Sequence, residues 1–259
     1  MNSGVQDAQN LVWKVCLALQ DPTRYDRLLD TYQSERLNVG RRVGLSSLQN
    51  MRSHSNHIDN ALGISYAQSK EENIRAAAEF FDSSSKNYLQ KRAAVKAASR
   101  QLDTEFNAPG YEVGWFYPSA DINSEGGETH HGQTRADGSL VHDVYVATTI
   151  PGHNLPHVWV EKDGQRRAIR DLLRLDQLTM FVQNMKYSQE YSDRLVAFAA
   201  IGPGYWQDIS GNWSTVRGVG PEGGVLVRPD GIVAWRGSLS RIHGEDWSQL
   251  IDRILSVSR

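Results

Sequence analysis

The spacing of apolar residues changes once along the chain, near Pro109 and Gly110. Before this point apolar residues recur at steps of three and four, which is the spacing of one helix face. After it, short runs rich in Val, Ile and aromatic residues are separated by turn formers, which is typical of strands. A chain of 259 residues divided in this way has room for one or two domains. We predict an α/β (α+β) fold with a helical part over residues 1–108 and a strand-rich part over residues 109–259.

The helical part opens with an amphipathic segment that is already helical at Gln6. Asn2 or Ser3 can cap its first turn. Its predicted apolar face consists of Val5, Ala8, Leu11, Val12, Val15, Cys16 and Leu19. A second helix is predicted after Pro22, a residue suited to a first helical turn. A further helical pattern, from Lys70 to Leu102, contains three consecutive serines at which it can divide in two.

The strand-rich part contains three apolar runs that predict strands, YEVGWFY, VHDVYVATTI and LPHVWVEKDG. A buried strand is predicted over Arg194–Ile201. The segment GGVLVRPDGIVAWRG predicts a hairpin with Pro229, Asp230 and Gly231 at its turn. A closing helix has its apolar face at Trp247, Leu250, Ile251 and Ile254. A strand, a hairpin and a terminal helix in this order favour an α/β sandwich of thioredoxin type.

Charge and composition exclude several classes of protein. The chain has 28 Lys and Arg against 30 Asp and Glu, a net charge of −2, so nucleic acid is not an expected partner. The longest apolar run, LVAFAAIG, is far shorter than the roughly 20 residues of a membrane helix. We therefore expect a cytoplasmic protein with no membrane partner. The single cysteine, Cys16, excludes an intramolecular disulfide and a CxxC redox pair, and we expect it to be a small buried side chain.

Common catalytic and metal-binding motifs are missing from the sequence. The candidate histidines are His130, His131, His142, His153 and His157. Their spacing matches no ligand pattern, so we predict no metal. There is no GxSxG or HExxH motif. The segment GVGPEGG precedes a predicted strand instead of opening a helix, which indicates a turn and not a phosphate loop. Core packing accounts for the aromatic residues of the strand-rich part better than an aromatic-lined pocket or an interface does.

Four segments resemble flavin-dependent aromatic hydroxylases of the phenol hydroxylase and chlorophenol monooxygenase group. Residues 1–14, MNSGVQDAQNLVWK, are similar to the family segment MNxGxQDAxNLxWKL. Residues 32–36 are similar to its YxxERxP motif, although Leu37 and Asn38 stand in place of Arg and Pro. PGHNLPHVW, with PGYEVG (residues 109–114) for the strand before it, resembles the family stretch PGxxxPHxW, and VLVRPDGIVAWR resembles the signature of its C-terminal thioredoxin-like domain.

The resemblance implies the C-terminal part of an FAD-dependent monooxygenase. It would contain the helical end of the FAD-binding and substrate region, a strand-rich connector and a redox-inactive thioredoxin-like domain. In the family the MN pair lies at a helix start beside the pyrimidine end of the flavin, so Met1 and Asn2 are the expected cofactor-binding residues. No catalytic residue is assigned. The implied reaction uses NADH or NADPH and dioxygen to hydroxylate a phenolic or polyketide-type aromatic substrate.

Two family segments that hold FAD lie upstream of the MN pair and are not in this sequence. They are a strand followed by a GxGxxG loop, which holds the pyrophosphate, and a Gly-Asp segment, which binds the ribityl chain. We therefore expect that the chain alone does not bind FAD tightly. An in-frame upstream stretch that encodes these motifs would favour the enzyme.

Two other functions stay open from the sequence. One is a non-catalytic remnant or accessory subunit that associates, as a homo-oligomer or with a separate N-terminal half, through the thioredoxin-like domain. A verified native start at Met1 would favour it. The other is a free-standing thioredoxin-like oxidoreductase, which the lone Cys16 disfavours.

Overall fold

The computed structural model describes residues 2–102, 107–117, 141–242 and 244–257. The chain divides into two compact units. The first unit consists of Met1–Val39, Val113–Gln133 and Tyr145–Arg259, and the second of Gly40–Glu112 and Thr134–Val144. The described helices are α1 (Asn2–Gln20), α2 (Pro22–Tyr25), α3 (Thr31–Ser53), α4 (Asn60–Leu62), α5 (Lys70–Phe81), α6 (Tyr88–Ser99), α7 (Pro109–Glu112), α8 (Trp213–Val216) and α9 (Gly244–Ile254). None of them is both long and apolar enough to cross a bilayer.

The strands all lie in the first unit. They are β1 (Trp159–Lys162), β2 (Gln165–Ala168), β3 (Leu178–Val182), β4 (Val196–Ala200), β5 (Gln207–Asp208), β6 (Gly223–Val227) and β7 (Val233–Ser238). A four-stranded sheet has the order β4-β3-β6-β7, in which β3 and β4 are parallel and the other pairs are antiparallel. A three-stranded antiparallel sheet has the order β2-β1-β5.

The four-stranded sheet is buried on both faces. Alternate residues of a strand point to opposite faces, so Met180 of β3 lies in one hydrophobic cluster and Phe181 in the other. The first cluster also contains Trp13 and Leu17 of α1 together with the apolar face of α9. The prediction for the closing helix is confirmed, since Trp247, Leu250, Ile251 and Ile254 are all buried there. The apolar segments of this unit thus form one core around the sheet.

The predicted hairpin is also confirmed. Strands β6 and β7 pair in antiparallel register, from Gly223 opposite Ser238 to Val227 opposite Val233. Gly231 has a φ of 82°, a left-handed conformation that glycine adopts readily, and its amide donates to the carbonyl of Arg228 at 2.9 Å. The predicted strand over Arg194–Ile201 is found as β4, trimmed at both ends.

Two of the three strands predicted between residues 111 and 162 are wrong. Tyr111 lies in α7, residues 141–150 form no strand, and Phe116 makes a single bridge with His153. The described residues of these two runs make isolated bridges and single backbone hydrogen bonds, and not the repeated pairs of a strand ladder. Gly152, for example, donates its amide to Val233 and accepts a bond from the amide of Tyr117. The apolar residues of these runs are only partly buried: Trp115, Phe116, Tyr117 and Ile150 are buried, whereas Val113, Val144, Tyr145 and Val146 are exposed.

The long helical pattern divides where the serines predict a break. Asp82 ends α5, and its carboxylate accepts bonds from the amide and hydroxyl of Ser84. Lys91 of α6 donates to the carbonyls of Leu62 and Ala76, both at 2.7 Å. This lysine is therefore a structural residue of the second unit.

Candidate functional site

Helix α1 buries a different face from the one predicted. Its buried residues are Asn10, Trp13, Lys14, Leu17 and Ala18. Val12 is 59% exposed and Leu19 is 77% exposed, although both belong to the predicted apolar face. Cys16 is exposed on the same side, so the expectation of a buried thiol is wrong. The hydrophobic pattern fails because two polar residues, Asn10 and Lys14, occupy the core.

These two residues belong to a buried ionic cluster, which we define as Asn10, Lys14, Glu35, Arg228 and Asp230. Glu35 of α3 accepts bonds from Lys14 Nζ at 2.7 Å and from Arg228 Nη1 at 2.5 Å. Arg228 also contacts Asp230, with Nε at 3.1 Å from Oδ1. Asn10 Nδ2 donates to Glu35 at 2.7 Å and to Asp230 at 3.2 Å. The cluster joins α1, α3 and the β6–β7 turn.

The charges of the cluster balance, because Lys14 and Arg228 face Glu35 and Asp230. Burial opposes ionisation of Glu35, yet the attraction of Arg228 and Lys14 outweighs it and lowers the pKa of Glu35 to about 2. For Lys14 burial dominates, aided by repulsion from Arg228, and lowers its pKa to about 8. Burial favours neutral Arg228, but Asp230 and Glu35 more than compensate and raise its pKa. At neutral pH Lys14, Glu35 and Arg228 are therefore ionised.

A second polar group holds the first turns of α1. Arg36, the residue after Glu35, donates from Nε to the carboxylate of Asp7 at 2.6 Å and from Nη1 to the hydroxyl of Tyr117 at 2.9 Å. Its Nη2 lies 3.4 Å from both the carbonyl of Ser3 and the side-chain oxygen of Gln6. Burial raises the pKa of Tyr117 to about 12, against the effect of Arg36, so its hydroxyl stays protonated. Glu35 and Arg36 thus bind two successive parts of α1.

Three of the four segments that carried the family resemblance meet in these two groups. Asp7 and Lys14 come from the first motif, Glu35 and Arg36 from the second, and Arg228 from the last. Residues 32–36 therefore do more than mark a helix, and α3 continues past Leu37 to Ser53. Sequence reasoning from periodicity missed these contacts because their partners lie up to 220 positions apart. The charged residues inside the motifs were the signal that could have found them.

The predicted cofactor residues lie at the edge of the described structure. Met1 is outside the described residues, and of Asn2 only the backbone is described, as the first residue of α1. The helix therefore begins earlier than the predicted caps, and Ser3 lies within its first turn. A Cβ placed on Gly4 would meet no atom within 4 Å, and Val5 is 66% exposed. The first described turn of α1 carries no acidic side chain and is open on this side.

The start of α1 is a place where negative charge is stabilised. The first amides of a helix have no intrahelical acceptor, and the helix dipole favours negative charge at this end. Arg36 and the buried ionic cluster hold the helix from behind while its outer side stays open. Asp7, in the second turn, is paired with Arg36.

The remaining sequence candidates form no second site in the described part of the chain. His130 and His131 lie outside the described residues. His153 is buried and stacks on Phe116, whereas His157 meets the edge of Trp159. No group of three or more potential ligands among the described residues could hold a metal. The loop Gly218–Gly223 runs directly into β6, as a turn before a strand should.

Comparison with known proteins agrees with this arrangement. The aromatic-ring hydroxylase C-terminal domain matches residues 148–256, and the FAD binding domain matches residues 1–46. Phenol 2-monooxygenase of Pseudomonas sp. (strain EST1001) is 29% identical over 91% of this chain and 39% of its own length. The 2,4-dichlorophenol 6-monooxygenase of Delftia acidovorans is 30% identical over 99% of this chain and 44% of its own length.

Solved structures show the same relationship. The flavin-dependent monooxygenase PieE, in complex with FAD and substrate, superposes with a TM-score of 0.79 at 32% identity, covering 98% of this chain and 44% of PieE. The variant RebC-10x superposes with a TM-score of 0.69 at 21% identity, which shows a shared fold.

The two domain matches and these relatives make the chain similar to the C-terminal part of flavin-dependent aromatic hydroxylases, so the resemblance read from the sequence is confirmed. The chain spans less than half the length of the curated relatives that it matches. The thioredoxin-like character of the last domain stays a prediction.

Proposed function

We propose that this chain supplies the C-terminal domain and the flavin-facing helix start of an FAD-dependent monooxygenase that hydroxylates a phenolic or polyketide-type aromatic ring with NADH or NADPH and dioxygen. The relatives of known activity act on phenols, chlorophenols and tetracenomycins, by their names. The observation that carries the proposal is the open first turn of α1, held from behind by Arg36 within a segment that matches an FAD binding domain.

The chain's own residues have a limited task in this reaction. Asn2, the first residue of α1, and Met1 before it would approach the pyrimidine end of the isoalloxazine ring, and the free backbone amides of the first helical turn would favour negative charge there. Arg36 and the buried ionic cluster orient the helix. FAD supplies the redox chemistry and the oxygen activation that protein side chains lack.

The proposal predicts an unusual ligand preference. Because no described part of the chain provides a helix-opening GxGxxG loop for the pyrophosphate, the adenosine half of FAD should add little affinity. Riboflavin and FAD should therefore quench the tryptophan fluorescence of the chain with dissociation constants within about threefold of each other, both near 0.1–1 mM. The purified chain should be colourless. Stoichiometric yellow flavin, or FAD that binds far more tightly than riboflavin, would show that the chain holds the pyrophosphate after all.

A proline at the helix start tests which residues meet the ring. Asn2→Pro removes an amide N–H and the side chain at a position where proline is compatible with the helix. We expect it to weaken riboflavin binding by about fivefold or more, the effect of losing one charge-assisted hydrogen bond. Lys70→Pro makes the same change at the first residue of α5 and should leave riboflavin binding unchanged. Equal effects of both variants, or no saturable binding by the wild-type chain, would contradict the proposed site.

A further inference from the structure

We propose that Arg228, in the turn region of the β6–β7 hairpin, is a positioning residue for the flavin-facing start of α1. This role rests on the proposed function, because it concerns the same helix start. It would give the aromatic-ring hydroxylase C-terminal domain a part in arranging the cofactor site without touching the cofactor.

The first step of the argument is how Arg228 fixes Glu35. Its two terminal nitrogens, Nη1 and Nη2, donate to the two carboxylate oxygens of Glu35 at 2.5 and 2.9 Å. The other side of the same guanidinium is held by Asp230, through Nε at 3.1 Å and Nη2 at 2.5 Å. Paired bonds of this kind fix direction as well as distance. The hairpin thereby determines where the Glu35 carboxylate lies.

The second step leads from Glu35 to α1. The oxygen Oε2 of Glu35 accepts bonds from Lys14 and Asn10, which lie one turn apart on α1. Arg36 follows Glu35 in the same helix and binds Asp7 and the carbonyl of Ser3. Since adjacent residues of a helix move together, a shift of Glu35 also shifts the group that holds the first turn. Arg228 thus acts on the helix start by two routes that both pass through Glu35. One leads through Arg36 of α3, and the other through Asn10 and Lys14 of α1.

The alternative is that Arg228 only stabilises the fold. A variant that keeps the charges of the cluster balanced separates this structural role from the positioning role. A buried ion pair can often be replaced without loss of stability if no charge is left unpaired. The double variant Arg228→Gln/Asp230→Asn removes one positive and one negative charge and leaves Lys14 paired with Glu35. If the cluster serves stability alone, this variant should regain wild-type behaviour in every measurement that the single variant Arg228→Gln impairs.

The test combines urea denaturation, amide hydrogen exchange and riboflavin titration of the full chain. We expect the double variant to regain most of the denaturation midpoint that Arg228→Gln loses. Exchange of the first turn of α1, followed at the amides of residues 6–9 that bond to its carbonyls, should nevertheless stay about tenfold faster than in the wild type, and the riboflavin dissociation constant about tenfold higher. Arg24→Gln, which removes the exposed contact of Arg24 with Asp252, is the control and should change neither the amide exchange nor the riboflavin dissociation constant.

Wild-type exchange of the first turn in the double variant would overturn the proposal. So would a loosened first turn with unchanged riboflavin affinity, a result that leaves the flavin site itself intact. Absence of saturable riboflavin binding by the wild type would contradict the proposed function instead, and the positioning role with it. If Arg228→Gln does not fold, Arg228→Lys keeps the charge, loses the paired geometry, and should loosen the same turn.

Discussion

Glu35 connects three distant segments of the chain through one carboxylate. It is only 3% exposed and accepts hydrogen bonds from Asn10, Lys14 and Arg228. A buried carboxylate is tolerated only where such donors offset its lost hydration. Glu35 is therefore a core residue despite its charge. Its carboxylate also determines where the side chains of its three donors lie.

Removing this charge should be costly. Glu35→Gln leaves Lys14 and Arg228 facing Asp230 alone, and we expect a loss of about 3–5 kcal/mol in the free energy of unfolding. Urea denaturation monitored by tryptophan fluorescence measures it. Glu222→Gln removes the exposed partner of Lys186 and should leave the midpoint nearly unchanged. Equal losses in the two variants would show that the cluster is not an energetic centre of the fold.

The same residue predicts how stability depends on pH. The pKa of Glu35 falls from 4.5 to about 2 on folding, so its ionised form stabilises the folded chain above pH 4.5. That contribution, about 3 kcal/mol, is lost as the pH falls from about 4.5 to about 2. Denaturation midpoints measured across this window should fall more steeply in the wild type than in Glu35→Gln. Parallel curves would exclude Glu35 as the source of the acid sensitivity.

At the scale of elements, the β6–β7 turn depends on the backbone of Gly231. Its φ of 82° is costly for other residues, and a Cβ there would lie 2.8 Å from Nη2 of Arg170. Gly164, in the β1–β2 turn, has a φ of 73° and open space around it. We expect Gly231→Ala to lower stability by about 2 kcal/mol and Gly164→Ala by about 1 kcal/mol.

Thermal unfolding of the two glycine variants separates backbone strain from steric conflict. The difference between their melting temperatures reports the displacement of Arg170, because both variants share the strain of a positive φ. If Gly164→Ala were the more destabilising variant, the close approach of Arg170 to the turn would be of no energetic consequence.

The elements differ in how far the sequence predicts them. Strands β6 and β7 and helix α9 follow from two short apolar runs, the PDG turn between them and a clear apolar helix face, because each element packs on the core through its own apolar residues. The buried face of α1 could not be predicted in the same way. Lys14 is buried because Glu35 pairs with its charge and because Asn10 and Thr31 accept its other hydrogen bonds. No local sequence pattern identifies a partner as distant in sequence as Glu35. Family motifs pointed to these residues, but periodicity did not.

At the scale of the whole molecule, structural units and family domains divide the chain differently. Residues 1–46 match an FAD binding domain and residues 148–256 a hydroxylase C-terminal domain, yet residues 1–39 belong to the same compact unit as the second match. The shared core of Trp13, Leu17 and α9 and the buried ionic cluster account for this union. Helix α1 therefore depends on the C-terminal domain for its position.

Amide hydrogen exchange of the full chain, recorded with and without riboflavin, shows where a flavin contacts this protein. If α1 presents its first turn to the ring, riboflavin at about 1 mM should slow exchange within residues 2–7 and leave α5 and α6 unchanged. Unchanged exchange in the first turn, with protection elsewhere or nowhere, would contradict the assignment of this helix start to the flavin.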